Sequence, residues 1–566
     1  MSNNYYFGRL KKKVLACQRA SEMLLEDARE NAQEKKNHEL PFKFARTEEV
    51  VFVENVINSV PCNSEINFQA SCSINNNADK FQDYIEPVCS NAESDSDSDL
   101  SYICEKNESV NTSNENSIVL PVGSNNLSET LNLSEKLTSW AVKENISQSS
   151  LNKLLEILKS ENDILSFKNL PKDSRTLLHT PVGKVEVVKL GFGLFYYFGI
   201  LNSINKLITK SNYKLSDNAC FELAVNVDGL SISTSTSSCF WPILAQIKSI
   251  DELKDDVIVV ALFFGTLKPE NSNEFLKEFV KESVLLVNNG ILVHNKFYKF
   301  KISMLICDMP AKSFLLCTKG HNAYFSGTKY KTEGDFVNNV VCFPEYENIK
   351  QRSDIEFREQ VDEEYHLGET VLTKLPDFDM VRNVPLDYMH LLCLGVVKRL
   401  LVHKTYGWVF ARQPFKFSYS NIKKISDLLS SLNKFIPSEF CTKTRSIEEC
   451  KRYKATEFRL FLLYVGSVVF KSSLNPQFYS NFLNLHVASL IMCRQEYHKD
   501  AQMLSYANDL MKYFVKKTCE MYGHDFVSHN VHNLVHLAGD VSLNGKLDNF
   551  SAFPFENYMS QLKKNA

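Results

Sequence analysis

Two acidic residues follow apolar segments that predict buried strands. The segment "FELAVNV" (221–227) is apolar and β-branched and stops at Asp228, and a second apolar segment (302–307) stops at Asp308. Open α/β sheets bind ligands beyond the carboxyl ends of their strands. Two carboxylates held there repel each other unless a divalent cation lies between them. The pair therefore indicates a metal site, with an Asp-Gly hairpin turn at 228 and a helix N-cap at 308 as the alternatives.

A third acidic candidate is Glu556, in "LDNFSAFPFENYMSQLKK". It follows Pro554 at the start of a predicted helix and lies within an aromatic cluster formed by Phe550, Phe553 and Phe555. A carboxylate among aromatic rings needs a partner, because burying an unpaired charge is costly. Asp387, a polar residue in an apolar helix, is the replacement candidate if Glu556 is not the third acid.

The elements that must position these acids alternate along the chain. Predicted strands alternate with helices such as "SNEFLKEFVKESVLLVNNG", which Gly290 closes, and this alternation predicts an α/β domain. Before this domain, the apolar spacing predicts a helical unit with Ser147 or Ser149 as an N-cap. The boundaries predicted up to this point are a charged segment (1–55), a disordered acidic linker rich in Asn and Ser (56–135), the helical unit (136–185), the α/β region (186–384) and a mostly helical region (385–540).

Charge and cysteine content narrow the class of protein. The net charge is −3, but residues 1–135 hold 12 Lys and Arg against 22 Asp and Glu, whereas the remainder holds 52 against 45. A mildly basic body suits a nucleic-acid partner and a generic soluble protein equally. The 15 cysteines form no CxxC pair and no signal peptide is evident, so we expect free thiols in a reducing compartment. The longest apolar run (187–201) is too short for a membrane span, and no membrane partner is expected.

Five separated blocks carry a resemblance to a known family. They are "VDGLSISTSTSSCFWPIL", "CDMPAKSFLLCTKGHNAYF", "VPLDYMHLLCLGVVKRLL", "KATEFRLFLLYVGSVV" and "FSAFPFENYMSQLKK". In this order they resemble animal members of the CACTA (Enhancer/Suppressor-mutator) transposase superfamily, from about Leu137 to the C-terminus. The resemblance implies an RNase H-like core of residues 186–384 and 541–566, interrupted by a helical insertion (385–540) before the last acid.

The resemblance also implies a chemistry. Asp228, Asp308 and Glu556 would be the catalytic acids of a DDE-type DNA transposase or nuclease and would bind Mg²⁺ or Mn²⁺. Two such ions clamp the attacking and leaving oxygens of a phosphodiester during in-line displacement. The expected partner is DNA, and no small-molecule substrate is expected. The expected location is the nucleus, and a homo-oligomer is compatible with the resemblance. The alternative is an inactive, domesticated transposase that serves as a nuclear DNA- or chromatin-binding scaffold.

Residues of the third block extend the candidate site. Asp387 and His390 are polar positions in an apolar helix and could support the metal site from behind its ligands. Lys398, Arg399 and Lys404 follow on the same segment and are candidates for contacts to DNA phosphates. The alternative for these three residues is a solvated helix edge.

Zinc is not expected. Relatives usually carry a Cys-x-x-Cys pair after "KGHN", where this chain has Gly327 and Tyr330. His321 remains from that block and is a further candidate to support the metal site. A histidine series lies at helical spacing in "HNVHNLVHL", but the glutamate of an HExxH zinc motif is missing, so a structural role is favoured for His529, His532 and His536.

Overall fold

The computed structural model describes residues 132–144, 146–161, 165–180, 187–211, 213–232, 237–347 and 349–565. The predicted charged segment (1–55) and nearly all of the predicted disordered linker (56–135) lie outside these residues.

The described chain begins with a small helical unit that has its own apolar core. Its helices are α1 (Leu133–Lys143), α2 (Gln148–Ser160), α3 (Leu165–Lys168) and α4 (Ser174–Leu177). Ser147 is the N-cap of α2, since its side chain accepts a hydrogen bond from the Ser150 N–H, and Ser149 lies inside the helix. The core is formed by Ala141, Leu151, Leu155, Leu170 and Leu177.

A mixed eight-stranded sheet follows, so the chain is a mixed α/β protein. The strands are β1 (Val188–Leu190), β2 (Gly193–Tyr197), β3 (Cys220–Val227), β4 (Leu230–Ser231), β5 (Cys239–Ile247), β6 (Val257–Gly265), β7 (Ile291–Val293) and β8 (Lys296–Ile306). Their spatial order is β1-β2-β6-β5-β3-β8-β7, with the short β4 paired to β5. The β3–β8 pair is parallel, and the other neighbouring strands of this sheet are antiparallel.

Apolar residues on both faces of the sheet are buried, because successive side chains of a strand point to opposite faces. Leu223 and Val225 of β3 belong to a core with helices α5 (Ile200–Ser211) and α6 (Ser272–Asn289). Helix α6 ends at Asn289 with Gly290 as its C-cap, as predicted. The φ of Gly290 is 80°, a backbone angle that glycine adopts more readily than other residues. Ala224, between those two β3 residues, joins a separate core on the other face.

That second core belongs mainly to a large helical region. Two further helices come before this region in the chain, α7 (Met309–Leu316) and α8 (Asp354–Arg358). The α-helices of the region are α9 (Lys398–Val402), α10 (Tyr419–Leu432), α11 (Ala455–Leu460), α12 (Gly466–Val469), α13 (Pro476–Cys493), α14 (Ala501–Tyr522), α15 (His529–His532), α16 (Leu537–Asn544) and α17 (Phe553–Asn565). Two π-helical segments cover Met389–Val397 and Phe461–Val465. Short 3₁₀ turns cover Val371–Lys374, Asn433–Phe435, Ile447–Arg452, His524–Phe526, Asn533–His536 and Leu547–Phe550, and a hairpin is formed by β9 (Asp335–Val337) and β10 (Val340–Cys342).

Three parts of the chain that are distant in sequence meet in this second core. Met304 and Ile306 of β8 pack in the same apolar cluster as Leu392 of the first π-helix and Phe555 of α17. The sheet, the π-helix and the last helix are therefore fixed against one another by buried apolar surface.

Cysteines of the described residues carry free thiols, as the sequence predicts. Within those residues, no helix combines the length and apolarity that a membrane crossing requires.

Candidate metal centre

The parallel pair of strands brings the first two acids to one edge of the sheet. Asn226 of β3 lies opposite Ile306 of β8, so Asp228 and Asp308 both emerge two residues beyond this pair. The buried Asn226 side chain donates a hydrogen bond from Nδ2 to the Ile306 carbonyl at 2.8 Å and ties the strand ends together. Its Oδ1 is buried with no hydrogen-bond partner. Our sequence reasoning missed Asn226, although a polar residue inside an apolar strand was a usable signal.

The hairpin-turn interpretation of Asp228-Gly229 is wrong. The chain runs from β3 through these two residues into β4, which pairs with β5, so they do not form a two-residue turn between paired strands. The Gly229 N–H donates to Asp228 Oδ1 at 2.6 Å. A Cβ on Gly229 would lie 3.0 Å from the ring of Trp241, which belongs to β5 itself. Trp241 thus packs over the backbone beside the acid.

Asp308 is a helix cap, and its charge acts on Asp228 and His390 although it is not one of the three residues that could hold a metal together. It is the N-cap of α7, and its Oδ1 accepts a hydrogen bond from the Ala311 N–H at 2.8 Å. Pro310 occupies the first turn, as predicted. The cap contact uses one carboxylate oxygen. A carboxylate has acceptor sites on two oxygens, so Oδ2 can still bind a cation.

The third acid reaches the same edge from α17. Ligand atoms of Asp228, His390 and Glu556 all lie within 4.8 Å of one another, and this is the group in the described residues that could hold a metal ion. Burial, followed by the negative charges of Asp308 and Glu556, raises the pKa of Asp228 well above its ordinary value. Asp308 therefore stands close to the group. Crowded carboxylates of this kind are stabilised by a cation.

His390 lies among the potential ligands, and Asp387 lies behind it. Asp387 Oδ2 is 2.5 Å from His390 Nδ1, and the aspartate side chain is 1% exposed. Burial lowers the pKa of His390, but the hydrogen bond and charge of Asp387, with the charges of Asp228 and Asp308, raise it overall to about 10. Both residues are predicted to act from behind the ligands. The structure places Asp387 behind His390, and His390 itself among the residues that could hold a metal.

Asp387 also anchors the helix that carries Glu556. Its Oδ1 accepts a hydrogen bond from the Ala552 N–H at 2.7 Å, and the Ala552 carbonyl accepts the N–H of Glu556 at 2.9 Å. Its oxygens accept further bonds from the N–H groups of Met389 and His390. With both oxygens occupied inside the protein, Asp387 is a positioning residue, and Glu556 keeps the place of the third acid.

The basic candidates follow the first π-helix. Arg399 donates from Nη2 to the Asp525 carbonyl at 3.1 Å, and its guanidinium lies 4.8 Å from the centre of the Phe526 ring. Arg399 therefore braces the helical region internally. Lys398 is partly buried and Lys404 is exposed, so Lys404 is the most accessible of the three.

The histidine series is a set of internal hydrogen bonds. The Phe343 carbonyl lies 3.1 Å from His532 Nδ1, and the Ser326 carbonyl lies 3.3 Å from His529 Nε2. A carbonyl can only accept, so these ring nitrogens donate, and His532 Nε2 is left to accept from His536 Nε2 at 3.2 Å. Burial lowers the pKa of His529 to about 3 and that of His532 to about 4. These buried side chains are neutral and connect segments of the core.

The segment that lacks the cysteine pair packs against these histidines. A Cβ at Gly327 would lie 2.4 Å from the Tyr330 carbonyl oxygen, so a cysteine there would need a backbone shift. The Tyr330 ring stacks on His536 with centroids 3.9 Å apart. His321 is close enough to His529 for its charge to contribute to the lowered pKa of that residue. The structure thus places His321 beside the histidine series and outside the group that could hold a metal.

A buried ion pair supports the site from further back. Lys329 Nζ is 2.7 Å from Asp540 Oδ1, and both side chains are nearly inaccessible. Asp540 Oδ2 accepts the N–H of Leu386, the residue before Asp387, at 2.7 Å. Our sequence reasoning missed this pair, because nothing in the local pattern distinguishes Lys329 from a surface lysine.

Comparison of the sequence with models of known protein families gives no match, and comparison with curated proteins finds none that is similar to this chain. The geometry of the acidic group is therefore the observation that points to a function. The carboxylates are oxygen donors of the kind that bind divalent metal ions in proteins, and the His390 imidazole would join them only after losing the proton that its raised pKa retains.

Proposed function

We propose that this chain is a metal-dependent enzyme that cleaves DNA phosphodiesters, a DDE-type transposase or nuclease. The observation that carries the proposal is the convergence of residues far apart in sequence, since Asp228, His390 and Glu556 bring ligand atoms within 4.8 Å of one another beside Asp308. Separate apolar segments deliver these side chains to one edge of the sheet. A surface acid or a simple turn residue would not require such an arrangement.

The strand order supports an RNase H-like core as part of this proposal. Strands β6, β5 and β3 are antiparallel neighbours, and the chain then passes through α6 and the short β7 before β8 joins β3 in parallel. The two aspartates follow the parallel pair, and the glutamate comes from a later helix. An RNase H-like core is the fold that the resemblance to CACTA transposases implies.

Mg²⁺ is the proposed cofactor, with Mn²⁺ as an effective substitute. Asp228, Asp308 and Glu556 offer oxygen ligands, which both Mg²⁺ and Mn²⁺ prefer. When bound, such ions activate a water molecule and stabilise the charge that develops on phosphate oxygens. The carboxylates bind and orient the ions, and Asp387 fixes both His390 and the start of the helix that presents Glu556.

DNA is the proposed substrate, and the nucleus is the proposed location. A mildly basic body, with Lys404 exposed near the first π-helix, is compatible with contacts to phosphates. The non-enzymatic alternative, a DNA- or chromatin-binding scaffold that kept this fold, differs in one measurable respect. It would bind DNA in a salt-dependent way and leave the strands intact.

The test is nicking of supercoiled plasmid by the wild type and by Asp228→Asn, with Mg²⁺ or Mn²⁺. The substitution keeps the side-chain shape and removes one ligand charge, so we expect the nicking rate to fall by about 100-fold or more, given the several kcal/mol that metal ions contribute to such reactions. Asp251→Asn is the matched control, because Asp251 is 87% exposed and pairs with Lys254 on the surface.

Binding to DNA is measured in parallel on all three proteins. It should survive in Asp228→Asn, because affinity for DNA comes mainly from Lys and Arg contacts to phosphate. Equal nicking by the wild type and Asp228→Asn would refute the role of Asp228. Salt-dependent DNA binding by a wild type that nicks with neither metal would favour the scaffold.

A further inference from the structure

A second concave site lies away from the acidic group. A cavity of about 740 Å³ opens between α14 and α16 and is closed on a third side by Tyr330 and Tyr346. None of the four residues of the acidic site, Asp228, Asp308, His390 and Glu556, lines it. Its volume is within the range of sites that bind small organic ligands.

The lining of this cavity is basic. Lys499 and Lys512 border it together with the buried His498, and no carboxylate is among its lining residues. Within the described residues, no salt bridge holds either lysine. The carboxylate next to Lys499, Asp500, is turned into the first turn of α14, where it accepts the N–H groups of Gln502 and Met503. Asp509, one helical turn before Lys512, does not line the cavity. Two lysines beside a concave surface that no carboxylate lines attract an anionic ligand.

The same cavity offers aromatic rings. Tyr330 is held in place by its stack on His536, and His536 in turn bonds His532. The tyrosine is therefore a fixed ring at the cavity wall, with Tyr346 on the same side. Fixed aromatic rings beside lysines recur where proteins bind nucleotides, because bases stack on rings and phosphates attract cations.

We propose that this cavity binds a nucleotide, with its phosphate at Lys499 and Lys512 and its base against Tyr330. The nucleotide is either free in solution or part of a single DNA strand, since both present the same phosphate and base. The site is separate from the acidic group, and its binding does not depend on the proposed cleavage of DNA.

The test uses the full chain and three probes: adenosine monophosphate, inorganic phosphate and a fluorescein-labelled decathymidylate. Binding of the mononucleotide and of phosphate is measured by titration calorimetry, and binding of the oligonucleotide by fluorescence anisotropy. We expect Lys499→Ala/Lys512→Ala to weaken binding at least about tenfold, the factor that corresponds to about 1.4 kcal/mol of lost contact energy. Ser505→Trp, which fills the cavity from an exposed position on α14, should have the same effect with the lysines intact.

Lys516→Ala is the matched control, because Lys516 is exposed on the same helix and does not line the cavity. Unchanged binding in this variant, with losses in the other two, supports the proposal. If only the oligonucleotide binds and the same variants weaken it, a strand is the source of the nucleotide. The proposal is overturned if neither the mononucleotide nor the oligonucleotide binds, if the variants bind like the wild type, or if inorganic phosphate binds as tightly as adenosine monophosphate.

Discussion

Replacing Asp387 tests whether a single carboxylate organises the acidic site. Its oxygens accept four hydrogen bonds, from the N–H groups of Met389, His390 and Ala552 and from the His390 ring. In Asp387→Asn, one carboxylate oxygen becomes an amide NH₂ group. This group can only donate, so the N–H groups that face it lose their hydrogen-bond acceptor. An unsatisfied buried donor costs about 1–3 kcal/mol, so the free energy of unfolding should fall by about 2–4 kcal/mol.

The same substitution should weaken metal binding without removing a ligand. His390 loses the carboxylate that orients its ring, and α17 loses the anchor at its start. Loss of a residue that positions metal ligands typically lowers metal affinity about 10–100-fold. We therefore expect Mn²⁺ affinity to fall within this range, as measured by the free Mn²⁺ signal in electron paramagnetic resonance.

Stability is measured by urea unfolding, followed by tryptophan fluorescence, to which the buried Trp408 of the helical region contributes. Asp251→Asn is again the control, because Asp251 is 87% exposed and exposed ion pairs contribute at most about 1 kcal/mol. The reasoning is refuted if Asp387→Asn is no less stable than this control, or if it binds Mn²⁺ as tightly as the wild type.

Three further predictions follow from other parts of the structure. Lys329→Met should cost about 3–5 kcal/mol in urea unfolding by leaving Asp540 buried and unpaired, and stability equal to the wild type would contradict this. Because the pKa values of His529 and His532 are lowered in the folded protein, their stabilising contribution is complete above about pH 6.5. It should be lost towards pH 4 by about 1.4 kcal/mol per pH unit for each residue. A His529→Gln/His532→Gln variant whose urea stability changes between pH 7 and 5 as steeply as that of the wild type would refute this. Mn²⁺ should raise the melting temperature of the wild type but not of Glu556→Gln, and an equal rise would exclude Glu556 as a ligand.

The positions of Asp228 and Asp308 at strand ends could be predicted because the signals are local. An apolar run and the residue that stops it are adjacent in sequence. Strand β3 ends at the predicted residue, Val227, and β8 ends one residue before the predicted Cys307. The convergence of Glu556 with them had no local signal. It depends on apolar packing of α17 against the sheet, and only the resemblance to a family suggested it in advance.

The place of His390 depends on contacts that no window of the sequence contains. The histidine opens a π-helical segment, and its partner Asp387 is fixed by Ala552, 165 residues later. The pattern of polar residues in an apolar helix identified both positions. Which of the two would face the acids is decided by that long-range hydrogen bond, since the carboxylate that accepts it must turn into the core.

The N-cap interpretation of Asp308 is confirmed, and it is compatible with the proposed role of this residue as a metal ligand. Its Oδ1 caps α7 through the Ala311 N–H, and this contact holds the side chain in one orientation. A ligand that is already ordered loses less conformational entropy when a cation binds. The cap therefore favours metal binding by the remaining oxygen, and a capping aspartate at the end of a parallel strand is a stronger candidate ligand than an unconstrained one.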